Sequence, residues 1–139
     1  MDYKKEFERM MQSQTAIALA TASGGAVNVR IVNFYYDTDR KSLYFSTFRD
    51  NEKVAELAAN PCVAFTTIPT SGEEHVRVKS GTARQSALPI AGIKENFLAK
   101  LPDYIMGIPE LLPELILFEI TFDRADVVLD FEHMETIAL

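Results

Sequence analysis

The sequence predicts a mainly β protein, an antiparallel sheet of six to seven strands curled into a small barrel with flanking helices. Three observations carry this. Apolar and polar residues alternate over much of the chain, which is the period of a half-buried strand. Turn signals such as Ser23-Gly24-Gly25 and Asp37-Thr38-Asp39 join consecutive runs as hairpins. Helical periodicity occurs only in short stretches between the strands, too little for a parallel α/β sheet, and closure of the sheet removes exposed edges.

Residues 2–14 read as a helix, with Tyr3, Phe7, Met10 and Met11 on one face and the two methionines as core packing. Thr15 to Thr21 forms a first strand. A long second strand runs from Val27 to Tyr36, with Val27, Val29 and Ile31 on one face and Asn28, Arg30 and Val32 on the other. Phe34, Tyr35 and Tyr36 in succession should present at least one ring outward. The third strand, Ser42 to Thr47, sets Leu43 and Phe45 against Tyr44 and Ser46. A short helix from Asn51 to Ala59 is stopped by Asn60-Pro61. Strands follow at Cys62 to Ile68 and His75 to Arg84, the second bent at Gly81. Ala87 to Leu101 reads as a helix with Pro89 in its first turn, and Pro102 to Pro113 as a connector. Leu115 to Phe122 and Asp126 to Phe131 supply the last two strands. One domain spanning residues 1–139 is expected.

Composition narrows the function. Hydrophobic residues make up 47% of the chain and charged residues 24%, a globular balance that excludes a disordered chain. The net charge of −6 argues against a general nucleic-acid binder, which needs a basic face to neutralise phosphates. No run approaches the roughly 18 apolar residues of a membrane span. A single cysteine, Cys62, cannot form an internal disulfide, points to a cytoplasmic location and reads as a small core residue. With only His75 and His133 as histidines, and no zinc, P-loop or nucleophile-elbow pattern, no metal site and no catalytic side chain are assigned.

The informative residues are basic. Arg30 lies within the second strand, Ser46 and Thr47 close the third, and Lys53 falls in the first turn of the helix after it. A strand ending in hydroxyls and running into a helix N-terminus can cradle an anion. Read in order, Arg30-Ile31-Val32-Asn33-Phe34-Tyr35, Leu43-Tyr44-Phe45-Ser46-Thr47, Lys53 through Asn60-Pro61, and His75-Val76-Arg77-Val78-Lys79-Ser80-Gly81 resemble the pyridoxamine 5′-phosphate oxidase-like family of FMN-binding split barrels.

The resemblance implies that Arg30 and Lys53 bind the FMN phosphate. It places the backbone of Ile31 and Val32 along the isoalloxazine ring, Ser46 and Thr47 against the flavin or its phosphate, and His75 near the flavin. It also implies a homodimer with FMN at the subunit interface, serving a small-molecule electron donor or acceptor. Departures from the oxidase pattern are visible. Tyr35 stands where those enzymes have lysine, Glu52 where they have arginine, and no tryptophan or C-terminal arginine-histidine motif is present. An FMN-dependent oxidoreductase that does not oxidise pyridoxamine phosphate is therefore expected. A non-catalytic flavin-binding or stress-related protein, and a haem- or deazaflavin-binding relative, remain as alternatives.

Overall fold

A computed structural model describes residues 1–139. Helix α1 (Tyr3–Ser13) starts where the Asp2 carboxylate accepts the Lys5 amide at 3.2 Å. It buries Phe7, Met10 and Met11, and the Phe7 ring meets Tyr36 and Phe122 edge-on. Strands β1 (Ala16–Ser23) and β2 (Ala26–Asn33) form a hairpin about Gly24 and Gly25, whose φ of 57° and 82° suit glycine. Then come β3 (Tyr35–Asp37), β4 (Ser42–Phe48), α2 (Glu52–Ala59), β5 (Cys62–Thr67) and β6 (His75–Gln85). Helix α3 (Lys94–Lys100) precedes β7 (Leu115–Thr121), β8 (Arg124–Val128) and β9 (Met134–Ala138). No helix is long and apolar enough to cross a membrane.

All strand pairs are antiparallel and belong to one sheet, in the order β2-β1-β5-β6-β7-β4-β3. Strands β8 and β9 branch from β6. The branch explains Gly81. The first residues of β6 pair with β8 and the last with β7, so the strand must bend between them. The β5–β6 register also slips between Val63 and Phe65. A Cβ at Gly81 would lie 3.0 Å from Ile120 Cγ2 and 3.3 Å from Val63 Cγ2, so both side chains would have to give way to it.

Two apolar clusters cover β4. Leu43 and Phe45 enter the main core with α1, β1, β5 and β7, while Tyr44 faces a smaller cluster of Ile93, Phe97, Met106, Leu115 and Leu117. The strand is consequently buried on both sides up to Thr47. Lys100 ties α3 into this arrangement. Its ammonium donates to the carbonyls of Met11 at 3.2 Å and Phe34 at 3.1 Å, and lies 3.7 Å over the Phe34 ring.

The mainly β, antiparallel class holds, and several details differ from the sequence reading. The sheet has nine strands, not six to seven, and its strand path ends at β2 and β3 without closing. One extra strand arises because the long second run breaks at Phe34, which turns fully into the core. The other, β9, lies beyond Phe131, where the last expected strand ended. The helix expected from Ala87 to Leu101 is a single 3₁₀ turn at Ile90–Gly92 followed by α3. Tyr36 is buried and Tyr35 packs on the second cluster, so this aromatic run offers no outward patch. Cys62 is exposed, because its side of β5 is the outward one.

Candidate functional site

Short helix α2 assembles the site. Asn51 caps it by accepting the Lys53 amide at 2.9 Å, which fixes the first turn against the end of β4. From that turn the Lys53 side chain runs inward and is only 6% exposed. Its ammonium donates to Thr47 Oγ1 at 3.2 Å and sits 6.0 Å from the centre of the Phe45 ring. Burial lowers its pKa from the usual lysine value, and the neighbouring Arg30 lowers it further, while Glu56 opposes both. The sequence placed Lys53 in the first turn of this helix as a phosphate ligand, with no sign that it enters the interior. The structure buries it.

Arg30 reaches the same place from β2. Its Nη1 donates to Glu56 Oε2 at 2.9 Å, and its Nη2 lies 3.5 Å from Glu52 Oε1. Glu56 is held from three sides, since Thr21 Oγ1 donates at 2.9 Å and Asn28 Nδ2 at 3.2 Å. The hydrogen bonds from Arg30, Asn28 and Thr21 hold its pKa down at about 2, so it is a carboxylate at any physiological pH. Two cations, two carboxylates and two hydroxyls thus gather along the first half of α2. Glu56 escaped the sequence reading, yet a signal existed: Glu52 and Glu56 are four residues apart and so share a helix face.

The other expected residues lie elsewhere. Ser46 and Thr47 point to opposite sides of β4, and Ser46 Oγ is 2.7 Å from the Tyr104 hydroxyl in the second cluster. Val32 packs against the main core, whereas Ile31 is 70% exposed on the outward face of β2. His75 begins β6, and its Nδ1 is 2.7 Å from the Glu73 carbonyl oxygen. The strand registers put His75 on the same sheet face as Ile31 and opposite to Arg30. Arg30, Thr47 and Lys53 are therefore brought together, and Ser46 and His75 are not among them.

That outward face has its own character. Val27, Val29 and Ile31 stand beside Ala18, Ala20 and Ala22 of β1, which in turn adjoin Ala64 and Thr66 of β5. The result is a shallow apolar surface bounded on β6 by Arg77 and Lys79, both paired to Asp126. A separate cleft of about 550 Å³ opens between residues 85–94 and 112–117, with Arg49 and Lys94 on its lining. None of the seven expected residues lines it.

Known proteins show where this architecture recurs. The Campylobacter jejuni protein ChuZ superposes with a TM-score of 0.79 at 16% identity, over 97% of this chain and 58% of that one. This chain thus spans little more than half of that relative. General Stress Protein 26 from Bacillus anthracis matches over the whole of both chains, with a TM-score of 0.74 and 20% identity. HutZ, the haem storage protein of Vibrio cholerae, gives 0.68 and 16% over 87% of this chain and 90% of that one. At these identities the likeness is one of fold. No curated protein matches in sequence. The model of the pyridoxamine 5′-phosphate oxidase-like family matches residues 10–133, and the chain belongs to that family.

Proposed function

We propose that the protein is a flavin-binding member of its family, taking FMN with its phosphate at the Arg30, Thr47 and Lys53 end of α2. The observation that carries this reading is the convergence of a guanidinium, an ammonium and a hydroxyl at the first turn of a capped helix. Such a donor set can seat a phosphate monoester in competition with Glu56 and Glu52, which already pair with the guanidinium. Backbone of Ile31 and Val32 would flank the ring. FMN supplies hydride or electron transfer when bound, and the protein supplies position, exclusion of water and the local field. The physiological role would be redox exchange with a small-molecule donor or acceptor, and the lack of an assigned acid or base is compatible with that.

Assembly as a homodimer with the cofactor at the boundary is part of the same reading. Support comes from β2, where Val27, Val29 and Ile31 are 79%, 66% and 70% exposed beside the alanine row of β1. Contiguous exposed apolar surface of this kind marks a contact face, and a two-fold contact is the commonest solution. The contact lies on the outward valines and isoleucine and not on the buried aromatic run. Equilibrium sedimentation of the FMN-loaded protein is the test, together with Ile31→Glu. A dimer is expected for the parent and a monomer with weakened FMN binding for the variant. A parent that binds FMN fully as a monomer near 15.6 kDa refutes the shared site.

A second reading, haem, has one observation in its favour. The Glu73 carbonyl engages His75 Nδ1, an arrangement that leaves Nε2 available and orients a histidine for metal binding. Absorption spectra after incubation with each cofactor separate the two, since histidine ligation shifts and sharpens the Soret band of free haem, a change that His75→Ala would abolish. Bleaching of bound flavin by a reduced nicotinamide, followed by reoxidation in air, then distinguishes an enzyme from a binder.

A further inference from the structure

The anion site at α2 already contains an anion. Arg30 is 17% exposed at its side chain, and its guanidinium faces Glu56 through contacts of 2.9 and 3.4 Å, with Glu52 at 3.5 Å. Glu56 is fixed in place by Thr21 and Asn28 as well, so it is not a loosely held surface partner. Lys53 is the one cation of the group with no carboxylate in hydrogen-bond contact, its ammonium being turned to Thr47. The four ionised groups sum to zero charge. A phosphate monoester arriving here, carrying about −1.5 to −2, would have to displace a carboxylate from Arg30 and then remain beside it.

We infer that Glu56, assisted by Glu52, is an internal counter-anion that sets the ligand specificity of this site, suppressing the contribution of a phosphate so that the protein selects a flavin mainly by its ring. This rests on the flavin reading above for the identity of the ligand, but not for the behaviour of the anion site. Two consequences separate it from a purely structural ion pair. The parent protein should bind FMN and riboflavin with similar affinity, within about threefold, since the phosphate gains little. Removing the charge of Glu56 while keeping its shape should release Arg30 to act with Lys53 and Thr47 on an external phosphate. One charge-assisted contact recovered corresponds to a gain on the order of tenfold or more.

The experiment compares the parent with Glu56→Gln and Glu52→Gln, each checked for native circular dichroism. Dissociation constants for FMN and riboflavin are measured by flavin fluorescence, and inorganic phosphate binding to flavin-free protein by calorimetry. Glu56→Gln is expected to tighten FMN about tenfold, leave riboflavin unchanged within about twofold, and gain measurable phosphate binding. Glu52 is 77% exposed at its side chain, so Glu52→Gln is safe for folding and should shift both FMN and phosphate in the same direction by about threefold. Equal phosphate affinity in parent and variants overturns the inference, as does a parent that already prefers FMN to riboflavin more than tenfold. If no flavin binds to any of the proteins, the flavin reading fails by itself, and the phosphate arm still decides the role of Glu56. Should Glu56→Gln fail to fold, Glu52→Gln decides alone: an unchanged phosphate affinity counts against the inference.

Discussion

Ser46 offers a sharp test of which residues face the cofactor, because family resemblance and structure give it different partners. Its hydroxyl is 2.7 Å from that of Tyr104, and only 7% of the residue is exposed. Burial raises the Tyr104 pKa, with the Ser46 contact acting against it. The Tyr104 ring also stacks on Phe97 at 5.2 Å, so Tyr104→Phe removes the hydroxyl and leaves the stacking. A neutral hydrogen bond contributes about 1 kcal/mol net, and stranding its partner in a buried site costs about 1–3 kcal/mol. Each single variant, Ser46→Ala or Tyr104→Phe, should therefore lose about 1–2 kcal/mol. The double variant, which strands nothing, should lose less than the sum, with a coupling energy of about 1 kcal/mol. In a chain of this size that corresponds to a fall in Tm of roughly 3–5 °C per kcal/mol. Urea unfolding of the four proteins gives the cycle, and flavin titration gives the functional readout, expected to change by less than about twofold. A coupling energy within about 0.3 kcal/mol of zero, or a tenfold loss of FMN affinity in Ser46→Ala at parental stability, would refute the assignment of Ser46 to the core.

The remaining expectations concern the scaffold. Gly81→Ala should destabilise the fold by about 1–3 kcal/mol in urea unfolding, because its Cβ would press on Ile120 at 3.0 Å and Val63 at 3.3 Å in a packed core; an unchanged midpoint would refute the close approach. Asp126 is held below the usual aspartate pKa by Thr136 and Arg77, so its stabilising contribution is present above about pH 4 and lost as pH falls through the lower folded value; Asp126→Asn should flatten that acid limb. Burial pushes Lys100 down to about 7, below its unfolded value of 10.5. The unfolded chain then binds more protons between those values, so stability should rise from neutral to alkaline pH, and Lys100→Met should lose that rise in unfolding curves collected across it.

How much of this was legible in sequence follows from which interactions are local. Strands with a clean period of two, such as Val76 and Val78 against His75 and Arg77, were read correctly because one face is core and the other is not. The Gly81 bend and the Asn60-Pro61 stop were legible because backbone chemistry marks them. The break at Phe34 was not, since an apolar residue in an apolar run gives no local sign that it turns into a core built by α1 and β7. Strand β9 was hidden by its composition: Glu135 and Thr136 look like a polar tail, and only the pairing of Thr136 with Asp126 makes them a strand. At the site, Arg30, Thr47 and Lys53 could be named from residue type and position. Their ionic partner Glu56 could not be assigned that role, because its contacts with Thr21, Asn28 and Arg30 span 26 to 35 residues of sequence.

Strand β2 links the two functional proposals through the simplest property of a strand. Successive side chains point to opposite faces, so Arg30 enters the ionic group at α2 while its neighbours Val29 and Ile31 lie on the exposed apolar face. Beyond the hairpin turn the strand is an edge, hydrogen-bonded only to β1. An edge strand presents a row of unpaired backbone groups that a partner can cover. A partner seated on Val29 and Ile31 would fix the backbone from which Arg30 projects, and with it the guanidinium that Glu56 and an incoming anion compete for. Assembly and ligand selection would then be coupled through one residue step of β-strand. A substitution on the outward face should change the anion site without touching it.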